Sequence, residues 1–137
     1  MAKAAGVCLR ALAPILVAMM PVTSLALEGD AGRGKRAFQR CYSCHSVDPN
    51  EKAKLQSPSL CRIMGRPAAA ISDFEYSDAM RAKAAAGLIW DATTLDRYVA
   101  DPENFVPGTR MSAPPLRDDQ ERADLIAYLA LCGRYRP

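Results

Sequence analysis

The sequence predicts an all-α, single-domain fold with a helix near each end and long irregular connections between them. Three observations predict it. The chain has 137 residues, which is room for one domain and a modest core. Apolar residues recur at helical spacing in Ala31–Cys44 and again after Asp118. Prolines are scattered through residues 46–67 and 102–116, with no period of either kind, so those stretches read as loops.

Residues 1–26 differ from the rest. Lys3 and Arg10 are their only charges, Ala11–Met20 is apolar, and Ser24-Leu25-Ala26 is a small-x-small sequence. This is the pattern of a signal peptide cleaved after Ala26. The other reading is a retained anchor, but Pro14 and Pro21 interrupt a run that is short for a membrane span. The expected organisation is therefore a cleaved segment, 1–26, and one domain, 27–137.

In that domain the first helix is expected over Ala31–Cys44, with Gly34, Phe38 and Cys41 on one face. Gly32 and Gly34 weaken it, so tertiary contacts must support it. A weak helix is expected over Ser77–Ala86, stopped by Gly87. Asp91 is a suitable N-cap for a short helix carrying Leu95, Tyr98 and Val99, which Asp101-Pro102 ends. No regular element is expected through residues 102–116. Asp118 with Glu121 resembles a capping box, Leu125, Ile126, Tyr128 and Leu129 form an apolar face, and Gly133 places the helix end near Cys132. Such long loops on a small helical frame imply a bound group that supplies the missing core.

Without residues 1–26 the chain carries 16 Lys and Arg against 15 Asp and Glu. Residues 27–66 hold 8 positive and 4 negative groups, and residues 67–137 hold 8 and 11. This charge asymmetry can orient a partner, but it is far from the basic excess of a nucleic-acid binder. Export leaves Cys41, Cys44, Cys61 and Cys132 in a compartment where disulfides persist.

The chemistry concentrates in Cys41-Tyr42-Ser43-Cys44-His45. Cysteines at i and i+3 project from one side of a helix, one turn apart. That separation suits two thioether bonds to haem vinyl groups, and the histidine that follows can reach the iron. A dithiol redox pair belongs in an α/β pattern, which is absent. A zinc site needs one more thiolate and leaves the apolar helices unexplained. The signature thus points to one covalent haem c.

His45 is the sole histidine, so a second histidine ligand from this chain is excluded. The sixth ligand is a methionine, another side chain or nothing. Met80 falls in an expected helix and reads as core. Met64 could serve as either. Met111 lies in the proline-rich segment Phe105–Met111, from which a loop can project it.

The chain resembles the class I cytochromes c of the mitochondrial and cytochrome c2 type from about Gly29 to Leu131. The resemblance rests on Cys41–His45, Ser57-Pro58-Ser59-Leu60, Gly65-Arg66, Phe74–Ser77, Gly87–Trp90, Pro107–Met111 and Glu121–Leu129 taken in order. It implies that the N- and C-terminal helices cross, with Gly34 and Phe38 meeting Leu125 and Tyr128, while loops enclose the haem. It also implies iron ligation by His45 and Met111, and a Pro58 carbonyl that accepts the His45 ring N–H. His/Met ligation raises the reduction potential. By the same resemblance Arg66, Tyr76, Trp90 and Thr109 lie near the haem propionates, and Tyr98 approaches the Met111 sulfur. The family fold brings Cys61 and Cys132 close together, which implies a disulfide. Three features depart from the pattern: Ser57 replaces a glycine, Ala113 replaces an aromatic, and the basic rim is thin, with Arg40 and Arg110 fitting it and Glu103 not.

The function implied is that of a monomeric, periplasmic one-electron carrier without enzymatic activity. Its partners would be redox proteins, a reductase or dehydrogenase donor and an oxidase or reaction-centre acceptor, and it would meet membranes only through them. Two alternatives are the haem-bearing, electron-accepting subunit of a periplasmic dehydrogenase or oxidase complex, and a ligand-binding haem with an open sixth position.

Overall fold

The computed structural model describes residues 27–50 and 56–136; the segment expected to be cleaved, 1–26, lies outside them. Helix α1 (Ala31–Ala37) starts at Asp30, whose carboxylate accepts the Arg33 N–H, and runs into a single 3-10 turn at Phe38–Arg40. It is shorter than the Ala31–Cys44 expected. The Phe38 carbonyl takes the N–H groups of both Cys41 and Tyr42, which ends the regular ladder. The next turn is held separately, the Cys41 carbonyl accepting from Cys44 at 3.1 Å and His45 at 2.9 Å. The spacing of one turn between the two cysteines therefore survives without a continuous helix.

A two-stranded antiparallel ribbon, unforeseen in the sequence, pairs β1 (Arg66–Pro67) with β2 (Ile89–Trp90) and sets Arg66 opposite Trp90. Between them, α2 (Asp78–Ala85) is capped by Ser77, and Gly87 leaves it at φ +83°, where a side chain would be strained. Helix α3 (Ala92–Ala100) begins with a reciprocal Asp91–Thr94 box and buries Leu95 and Tyr98. A one-turn helix, α4 (Pro102–Phe105), then occupies a stretch expected to be irregular. Proline is harmless at the first helical position, where its missing N–H is needed by nothing, and Asp101 caps the turn.

Helix α5 (Asp119–Ala130) is capped by Asp118, which accepts the Glu121 N–H at 2.6 Å. Glu121 does not complete the box; its carboxylate lies 3.4 Å from Arg40. The helix crosses α1 closely, because a Cβ at Gly34 would overlap the Asp124 carbonyl and stand 2.7 Å from the Tyr128 Cβ. Phe38 and Tyr128 pack with ring centroids 5.5 Å apart.

Two buried charges on α5, neither anticipated, fasten it to its neighbours. Asp124 accepts from Arg33 Nε and Nη2 at 2.6 and 2.8 Å and from the Asp30 N–H at 2.7 Å, joining α5 to α1. Arg122 donates to Asp96 of α3, to Asp119 and to the Leu116 carbonyl. Beyond α5 the chain turns at Gly133, and the Tyr135 N–H reaches the Met64 carbonyl at 2.8 Å. Cys61 and Cys132 meet there with Cα atoms 5.2 Å apart.

Candidate cofactor site

The buried apolar residues do not fill the space between these helices. A cavity of about 480 Å³ is walled by Ile63, Met80, Leu95, Val99, Leu125 and Leu129, with a few polar groups among them. That is the size and character of a cofactor pocket. Cys41, His45, Pro58, Arg66, Tyr76, Trp90, Tyr98, Thr109 and Met111 all line it. Cys44, half-buried one turn beyond Cys41, stands off the wall.

His45 follows directly on the Cys41 turn, and its Nδ1 lies 2.6 Å from the Pro58 carbonyl oxygen. A carbonyl can only accept, so Nδ1 carries the proton and the lone pair of the neutral ring is on Nε2. Burial lowers the histidine pKa against the opposing pull of the Pro58 bond, which keeps the ring neutral near pH 7. The ring is thus prepared as a metal ligand. Among the described residues no three of His, Cys, Asp and Glu converge on a metal position, so nothing supports the zinc reading. Burial raises the Cys41 thiol pKa, the reverse of what an active dithiol requires.

On another wall the Tyr98 hydroxyl lies 2.7 Å from Thr109 Oγ1, which also accepts the Met111 N–H at 3.2 Å. Tyr98 is therefore connected to Met111 through Thr109. Trp90 and Tyr98 pack with centroids 5.1 Å apart, so the aromatic core and the cavity wall are the same residues. Met80, read from sequence as core, is buried and also lines the cavity. Met64 packs against the core but lines no part of the cavity.

Arg66 is only 7% exposed, and its guanidinium donates to the carbonyls of Ser59 at 2.8 Å and Cys61 at 3.2 Å. Desolvation lowers its pKa, and among the described residues no carboxylate pairs with it. A buried cation facing a cavity without a counter-ion calls for an anionic group on the ligand. The haem propionates meet that need, and the apolar walls, the prepared imidazole and the thioether of Met111 suit the rest of the group.

The sequence profile of cytochrome c matches residues 31–131. The chain belongs to the cytochrome c family. It is 41% identical over 102 residues to a cytochrome c2 of Rhodomicrobium vannielii, covering 74% of this chain and 78% of the relative. It is 43% identical over 103 residues to a cytochrome c type-1 of Ascaris suum, covering 74% and 88%. The solved structure of cytochrome c2 from Rhodospirillum centenum superposes with a TM-score of 0.70 at 33% identity, covering 75% of this chain and 98% of that one. This cytochrome c carries one covalently attached haem c and acts as an electron carrier with redox partners. The all-α fold with crossing terminal helices and the family resemblance are both as expected from the sequence.

Proposed function

We propose that this cytochrome c is a periplasmic one-electron carrier in which Cys41 and Cys44 attach the haem and His45 and Met111 ligate its iron. The observation that carries the reading is one cavity lined by both His45, its ring fixed by Pro58, and Met111, on a loop held through Thr109 and Tyr98. The bound haem supplies a one-electron iron couple. The chain's own residues hold the imidazole in its ligating tautomer and exclude water with apolar walls, and Arg66, Tyr76 and Trp90, which line the same cavity, would serve as donors to the propionates. The reading is that of a carrier and assigns it no enzymatic activity.

Export rests on the signal pattern of residues 1–26, with cleavage after Ala26 leaving one domain, 27–137. The partners would be a dehydrogenase or reductase donor and an oxidase or reaction-centre acceptor, met by a monomer. The oxidising compartment and a Cα separation of 5.2 Å, within the usual range for a disulfide, support a Cys61–Cys132 bond.

The ferric spectrum tests the ligand set. A far-red methionine-to-iron charge-transfer band is expected in the wild type and should vanish in Met111→Ala, with a fall in midpoint potential. A wild type lacking the band, or a Met111→Ala variant retaining it, overturns the assignment. Stable co-purification with a larger subunit would favour an electron-accepting subunit over a free carrier.

A further inference from the structure

The carbonyl that orients His45 sits on a loop fixed from several sides. The Leu60 N–H and the Ser59 hydroxyl both donate to the Ser46 carbonyl, at 2.8 and 3.2 Å, tying the loop to the residue after His45. Arg66 holds the Ser59 and Cys61 carbonyls on either side of Leu60. Cys61 abuts Cys132 beyond α5, and the Cys132 sulfur lies 3.2 Å from the Val47 carbonyl oxygen. Cys132 therefore touches both segments that meet in the His45–Pro58 bond, 45–48 and 57–61. The cavity wall passes through the same loop at Ser57, Pro58 and Leu60.

We propose that the Cys61–Cys132 crosslink, acting with Arg66, positions the Pro58 carbonyl on His45 and thereby sets the reduction potential of the haem. This rests on the disulfide and the His45 ligation proposed above. Cys61, Cys132 and Arg66 are positioning residues in this sense, since they act on the imidazole through Pro58. The sign follows from the hydrogen bond. A firm Nδ1–H bond to a carbonyl makes the ring a more basic ligand and favours the ferric state. Opening the crosslink lets the carbonyl withdraw, weakens that bond and raises the potential. A dithiol can open it: two electrons and two protons convert the disulfide to two thiols, while the dithiol closes to its own disulfide.

The test compares three forms of the holoprotein: wild type, wild type treated with dithiothreitol and then alkylated with iodoacetamide, and Cys61→Val/Cys132→Ala. Each is measured for midpoint potential and for solvent exchange of the His45 Nδ1–H, followed by NMR in the ferrous state. In both opened forms the ferrous-to-ferric ratio at fixed ambient potential should rise several-fold. The ring N–H should exchange faster in parallel. Unchanged potential and unchanged exchange, with only a lower melting temperature, would overturn the proposal and leave the crosslink a stability element. Unfolding of both opened forms would also overturn it. Failure of the underlying readings is separately visible: untreated holoprotein that alkylates at two thiols has no disulfide, and one whose Nε2 does not ligate iron shows no hyperfine-shifted His45 ring in the ferric state.

Discussion

The Thr109 oxygen serves two neighbours, the Tyr98 hydroxyl and the Met111 N–H, and so holds the loop that presents the methionine. Tyr98→Phe removes one of these bonds while keeping the ring that packs on Trp90. It should lower unfolding free energy by about 1 kcal/mol, read from denaturant titration of the ferric protein, with the far-red band still present. The residues of this site were legible in sequence where chemistry restricts the choice: a Cys-x-x-Cys-His motif and one histidine leave few alternatives. Met80 was read only as core because a helical apolar position looks the same whether its neighbour is a side chain or a cofactor. Arg122 and Asp124 were missed because charged residues within an apolar helical face give no sign, in one dimension, that partners wait on α1 and α3.

At the scale of elements, the starts of α2, α3 and α5 follow from Ser77, Asp91 and Asp118, since an N-cap is a local event. The tolerance of glycine inside α1 is not local. Gly34 is retained within it because α5 presses against that position, whereas Gly32 would meet only the Asp30 carboxylate, 3.2 Å from an added Cβ. Gly34→Ala should therefore cost about 2 kcal/mol or more by forcing the helices apart. Gly32→Ala should stay within about 1 kcal/mol of neutral, because the gain in helix propensity offsets a small shift of Asp30. Thermal unfolding of the two holoprotein variants separates them. The β1–β2 ribbon and α4 were invisible for a related reason. Two-residue strands carry no period, and Asp101-Pro102, which stops one helix, equally well begins another.

For the whole molecule, the crossing of α1 and α5 is joined by a carboxylate, and this makes stability depend on pH in a definite direction. Arg33 holds the folded-state pKa of Asp124 well below its unfolded value near 3.9. The contribution is complete above about pH 4 and is lost as pH falls through the depressed folded value. Asp124→Asn should thus melt lower than wild type near neutrality and lose less on acidification below about pH 4, as thermal scans from pH 2 to 7 would show. A wild-type protein whose melting temperature tracks the variant's at every pH would remove the ion pair from this role. The hollow interior bears on how the molecule comes into being. Trp90, Leu95, Tyr98, Leu125 and Leu129 are the heart of the apolar core, and all of them border the cavity. Before haem is joined to the chain, these side chains have no ring to pack against, so the polypeptide lacks the contacts that side of its core would make. Attachment is therefore a folding step as much as a modification, because the ring completes the core that the chain alone leaves open.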